Sequence, residues 1–200
     1  MVMETAFRSE ERFSQQRFWR WMCDRPSDDR ARYELIGGRI VMTPPPGWPH
    51  GSVDTQVITL LNQHVQAAKV GIVLTNTDFE LPSGDTLAPD VAFIATERFA
   101  AGPPPRRGRF LRIVPNLVVE VVSESTAHRD RTEKAEIFGR NGVDEYWLVD
   151  TSRRELTILV LVEGRFTEHA RAAHGRLTSR VLPELAISVE MLFSDVPRRA

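Results

Sequence analysis

The chain has 200 residues, 42% hydrophobic and 26% charged, which suits one soluble domain with a full-sized core. Its 26 basic and 27 acidic residues give a net charge of −1, so no global basic field argues for a nucleic-acid partner. No run approaches the roughly 20 apolar residues of a membrane span, the N-terminal stretch is charged with no apolar signal core, and a single cysteine, Cys23, excludes an internal disulfide framework or a multi-cysteine zinc site, so a cytoplasmic protein is expected.

Residues 9–23 predict a helix with Phe13, Phe18 and Trp21 available to dock. "RYELIGGRIVMT" (32–43) predicts a hairpin turning at Gly37–Gly38, and "PPPGWP" (44–49) a stiff loop. From His50 onward Val53, Val57, Leu60, Leu61, His64, Val65 and Ala68 recur at steps of three and four, an amphipathic helix with His64 read as a core residue. Strand-like segments follow in "IVLTNTDFELP" (72–82) and "TLAPDVAFIA" (86–95), separated by a turn at "SGD". "GPPPRRGR" (102–109) predicts a loop that holds a small arginine cluster away from the body. "NLVVEVV" (116–122) predicts a central strand, "HRDRTEKAEIFGRNG" (128–142) a crossover helix closed by Gly142, and "DEYWLVD" (144–150) a strand parallel to its predecessor. A hairpin about Glu163–Gly164 and a short closing helix at "VEMLF" complete a single mixed α/β domain over 1–200, with the C-terminal hairpin and helix at 155–194.

Three features carry chemistry. Asp90 follows Pro89, which has no N–H for a sheet ladder and marks a strand start, an edge or a bulge; a plain polar strand end is the competing reading. Glu120 alternates with Val118 and Val122 on one face of an otherwise apolar strand, where a charge costs several kcal/mol unless paired or metal-bound. A structural ion pair with an arginine is the alternative there. Lys134 shares a helix face with Asp130, Ile137, Phe138 and Asn141, and it is one of only two lysines (with Lys69) among 26 basic residues. Its alternative is an ammonium snorkelling to the rim. Where arginine fills the generic positive roles, a retained lysine suggests a need for a compact, titratable charge. Two carboxylates on adjacent strands suit Mg²⁺ or Mn²⁺. A nearby lysine can orient or deprotonate a water, or stabilise charge on a reacting phosphate, which is the equipment of metal-assisted phosphodiester hydrolysis.

"PD" at 89–90, followed about thirty residues later by Glu120 in "VVEVVS", resembles the PD-(D/E)XK nuclease superfamily. More closely, "YELIGGRIV" (33–41), "PHGSVDTQVITLL" (49–61), "APDVAFI" (88–94), "PNLVVEVVSEST" (115–126) and "EKAEIFGRNGVDEYWLVD" (133–150) are similar to the Uma-two family of restriction-endonuclease-like proteins. The resemblance implies a restriction-endonuclease-like α/β core over about 33–150, a central mixed sheet flanked by helices, with an N-terminal helix and hairpin. It implies Asp90, Glu120 and the backbone carbonyl of Val121 as ligands of Mg²⁺, with Mn²⁺ as substitute. The superfamily's lysine stands two residues after the glutamate, where this chain has Val122; the Uma-like pattern takes it from the following helix, at Lys134. Phe138 stands where the family usually has tyrosine. Glu34 and His50 match recurrent polar positions expected to line the cleft, Glu34 as an added ligand or water holder and His50 as a phosphate contact or proton-transfer group, with a structural role open for both. His128 is read as a cap or surface group. Arg106, Arg107, Arg109, Arg129 and Arg131 are expected to form the DNA-binding patch. The implied activity is that of a Mg²⁺-dependent endonuclease on DNA, acting as a homodimer. A non-catalytic binding module of the same fold and a metal-dependent hydrolase acting on RNA are the alternatives.

Overall fold

A computed structural model describes residues 7–43, 45–123 and 126–197; Pro44 of the predicted loop, and Glu124 and Ser125 of the "VVSEST" segment, lie outside them. Helix α1 (Gln15–Cys23) begins where Ser14 accepts a hydrogen bond from Arg17 N at 3.2 Å. It therefore starts six residues later than its spacing predicts. The residues before it are held by the hairpin β1 (Arg32–Ile36) and β2 (Arg39–Thr43), through Ser9 N to Ile40 O at 2.8 Å and Phe13 N to Gly38 O at 2.7 Å. Phe18 packs with Leu35 and Ile40 as a small satellite core. Helix α2 (His50–Ala68) buries Val53, Val57, Leu61 and Val65, the predicted stripe.

The two predicted strands that follow are each cut in two. β3 (Gly71–Thr75) ends at Asn76, whose φ of 48° turns the chain, and β4 (Phe79–Glu80) goes to a different sheet. β5 (Thr86–Leu87) and β6 (Val91–Ala95) part at Pro89. The short pieces extend the hairpin into a four-stranded sheet of order β2-β1-β5-β4. A short helix, α3 (Thr96–Ala101), follows β6 and has no counterpart in the sequence reading.

β7 (Leu117–Val122) is buried at every position. It leads into one continuous helix, α4, made of Ala127–Arg129, a π-helical turn at Asp130–Lys134, and Ala135–Arg140, with Gly142 beyond it at φ 84°. β8 (Glu145–Asp150) returns parallel to β7, as a helical crossover permits. β9 (Glu155–Val162) and β10 (Arg165–Ala172) form the predicted hairpin about Glu163–Gly164. The main sheet has the order β10-β9-β8-β7-β6-β3. A small pair, β11 (Arg176–Thr178) and β12 (Ala186–Ser188), and a closing helix Val189–Leu192 end the chain. No described helix is long and apolar enough to cross a membrane.

Strand alternation divides the core. Val91, Phe93, Leu117, Val119, Val121, Trp147 and Val149 meet α2 and the C-terminal segment on one face. Ala92, Ile94, Val118, Val122, Tyr146 and Leu148 meet α4 and the small sheet on the other. Glu120 belongs by parity to the α4 face.

Glu145 holds the C-terminal segment to the first face. Wholly buried, it accepts from Trp147 Nε1 at 2.5 Å, Arg180 N at 2.6 Å and Val181 N at 2.9 Å. Glu145→Ala strands those three donors and is expected to lower unfolding free energy by about 3 kcal/mol. Urea titration checks it, and a loss under 1 kcal/mol would show that the segment is held by its apolar contacts alone.

Candidate active site

The site forms where three elements bring charge onto a buried surface. β1 contributes Glu34, the junction before β6 contributes Asp90, and β7 contributes Glu120, each no more than 5% exposed. The register Val91↔Val119 sets the next residues outward, Asp90 and Glu120, beside one another. Because the β6 ladder begins only at Val91, the Asp90 carboxylate takes a donor on β7: Val121 N donates to Asp90 Oδ2 at 2.8 Å. From the opposite layer α4 inserts Asp130 and Lys134, at 2% and 3% exposure. Lys134 Nζ lies 2.5 Å from Glu120 Oε1 and 3.0 Å from Glu34 Oε1. Glu34 Oε1 also accepts from Ala88 N at 3.0 Å, and Tyr146 Oη donates to the carbonyl of Asp130 at 3.0 Å, tying the first residue of the π-helical turn to β8.

Asp90 has a separate set of partners. Arg32 forms an ion pair with its Oδ1. His50, the first residue of α2, places Nε2 3.3 Å from Asp90 Oδ2 and Nδ1 3.1 Å from Asp54 Oδ2. Potential ligand atoms of His50, Asp54 and Asp90 all lie within 4.8 Å of one another.

These contacts set the charges. Burial works against the Lys134 ammonium, but the carboxylates of Glu120, Glu34 and Asp130 outweigh it and raise its pKa, so the amine stays protonated. Burial drives Glu120 well above the usual carboxylate range; Asp90, Asp130 and Glu34 push the same way, and only Lys134 opposes. Asp130 is raised chiefly by burial. Asp90 goes the other way: burial is overcome by the His50 hydrogen bond and by the charges of His50, Arg32 and Lys134, which hold it at about 2. His50 loses some basicity to burial, yet its contacts with Asp54 and Asp90 push it up to about 10.

Of the residues expected from sequence, Glu34, His50, Asp90, Glu120, Val121, Arg129 and Lys134 line one open cleft of about 300 Å³. Val121 joins it with its main-chain N–H bound to Asp90, while Val122 is buried in the core. Arg131 is paired with Asp150 at 2.7 Å. Arg106 and Arg109 line a different groove of about 360 Å³ that shares no residue with the cleft. The Arg109 guanidinium stacks 3.4 Å from the Trp19 ring centre, and Arg107 is exposed nearby in sequence. His128 is exposed and His64 half-buried. Phe138 is buried against Tyr146, ring centres 5.6 Å apart. The sequence reading assigned no role to Arg32, Asp54 or Asp130. Arg32 stands two residues before Glu34 on the same strand face, and Asp54 stands one helical turn after His50, so alternation and the four-residue step were the available signals.

The histidine contacts carry a pH dependence. The folded pKa of His50 lies above its ordinary 6.5, so its stabilisation is complete below pH 6.5 and is lost as pH rises through about 10. Urea unfolding in EDTA across that window is expected to show a loss on the order of 3 kcal/mol from His50, with His50→Gln giving a clearly shallower profile. An equal slope in the variant would remove His50 from this role.

Comparison with known proteins follows the same lines. No curated protein sequence matches the chain. A crystal structure described as "a putative nuclease belonging to DUF820", from Anabaena variabilis, superposes with a TM-score of 0.73 over 91% of this chain and 98% of that one, at 17% identity, a likeness of fold. The Uma2 family, described as "Putative restriction endonuclease", matches residues 16–190, from α1 to the closing helix. The chain belongs to the Uma2 family.

Proposed function

We propose that the chain is a metal-dependent endonuclease that hydrolyses phosphodiester bonds in DNA, with Mg²⁺ as its resident cation and Mn²⁺ as a substitute. One observation carries the reading: Asp90 and Glu120 meet across adjacent strands in an open cleft, with Lys134 Nζ 2.5 Å from Glu120. The donor set suits a hard cation. Asp90, Glu120 and the Val121 carbonyl offer oxygen ligands, with Glu34 beside them. Burial and mutual repulsion hold Glu120 up, a cost that a divalent cation relieves. Bound there, the cation would polarise a phosphoryl oxygen and acidify a water.

The chain's own groups have separable tasks. Arg32, His50 and the Val121 N–H keep Asp90 ionised and oriented. Lys134, held as an ammonium, acts as a donor toward the attacking water or the developing negative charge and does not start as a base. Arg129, at the cleft, is placed for a substrate phosphate. The reading includes a cytoplasmic homodimer, whose second copy doubles the arginine set at 106, 107 and 109.

Calorimetric titration of Mn²⁺ tests the metal centre. The wild type is expected to bind, and Asp90→Asn and Glu120→Gln to lose at least about tenfold in affinity. Indifference to both changes would favour the non-catalytic module. Lys134→Met is expected to bind the metal as well as the wild type or better, since it removes a competing cation, while cleaving DNA at least ~100-fold more slowly. A fully active variant would displace Lys134 from the mechanism. Binding to duplex DNA should weaken with salt at a slope of about −0.9 per neutralised phosphate; salt-dependent binding of RNA alone would move the substrate to RNA.

A further inference from the structure

Trp48 is 70% exposed, although tryptophan is among the side chains most covered by folded proteins. It lies on the wall of the active-site cleft together with Pro45, Pro46, Gly47 and Pro49. The three prolines of this wall have fixed φ, which restricts the backbone on both sides of the exposed indole. The segment 45–49 carries no charge, so it offers an aromatic and aliphatic surface and no contact for a phosphate. The phosphate partner is a different residue of the same cleft. Arg129 makes no ion pair among the described residues, and its Nε is buried with no hydrogen-bond partner. An uncharged aromatic face and a guanidinium that makes no ion pair among the described residues thus line one cleft with the carboxylates and Lys134. A nucleotide has the two complementary parts, a flat base and an anionic phosphate.

We propose that Trp48 is a stacking platform for a nucleobase of the substrate, beside a phosphate held by Arg129, so that the cleft takes a nucleotide whose base is free of its neighbours. This rests on the nuclease reading and narrows it to single-stranded nucleic acid or a strand locally opened. In an intact duplex both faces of each base are already covered, and the indole has nothing to stack on until a base is released. Stacking on an exposed aromatic is tolerant of base identity, so the platform contributes affinity and register without sequence preference.

The test uses the full-length protein in EDTA, where cleavage is suppressed, with oligodeoxynucleotides carrying 2-aminopurine, whose fluorescence is quenched on stacking. The wild type is expected to bind the single strand more tightly than its duplex and to quench the probe. Trp48→Ala is expected to abolish the quenching and weaken single-strand binding about tenfold or more, with Trp48→Phe recovering most of both. Unchanged Mn²⁺ affinity in Trp48→Ala would show that the cluster beneath is intact. Equal quenching and affinity in Trp48→Ala would overturn the platform and leave the nuclease reading standing. Failure of the wild type to bind either strand form at low salt would overturn both. Conversion of a dimer to a monomer by Trp48→Ala, seen in sedimentation, would make the indole an interface residue and overturn the proposal.

Discussion

The ammonium of Lys134 between Glu120 and Glu34 is the contact on which the site depends, because it joins three elements remote in sequence: β1, β7 and α4. Burying these two carboxylates to 4% exposure is costly without such a partner, since desolvation of an ion costs several kcal/mol. The contact also orders the local packing. α4 has to dock with its 130–134 turn over β7, and β1 has to lie close enough for Glu34 to reach the same nitrogen. Ile137 and Phe138 complete that docking with apolar contact, so the charged and apolar interactions specify the same helix position.

Two electrostatic compartments lie side by side in the cleft. Around Lys134, more carboxylates are buried than one ammonium can balance, and Glu120 and Asp130 are driven toward their protonated forms. Around Asp90, His50, Arg32, the more distant charge of Lys134 and a main-chain N–H act on the carboxylate and keep it ionised. Two acidic residues on neighbouring strands therefore meet with opposite proton affinities. Environment sets the difference, as both are carboxylates of nearly equal intrinsic acidity.

Much of this was legible in the sequence because it violated a local pattern. Glu120 stands in a run of valine, Lys134 falls on the apolar face of its helix, and Pro89 marks where a ladder stops just before Asp90. The parallel return of β8 followed from the helical crossover. Other features were hidden because their causes are not local. The cut between β3 and β4 depends on the left-handed conformation of Asn76 and on a second sheet that accepts the short strand. The late start of α1 depends on the hairpin holding Ser9 and Phe13. Arg106 and Arg109 face a separate groove because the course of a proline-rich loop is fixed by what it packs on, here Trp19 of α1 for Arg109. Arg32 and Asp54 were readable by periodicity, but nothing local says that Arg32 pairs with Asp90 or that Asp54 holds the histidine beside it.

The position of the lysine on α4 has a further consequence. Were it on β7 two residues after Glu120, one strand would carry both charges and α4 would have no ionic tie to the sheet carboxylates. On α4 it belongs to the layer packed over the sheet, held there by Ile137 and Phe138. A cation at Glu120 would compete directly with Nζ for the same oxygen. Val122, two residues after Glu120, belongs to the apolar core. The sheet keeps its apolar packing, and the charge that balances its carboxylates comes from the helix laid over it.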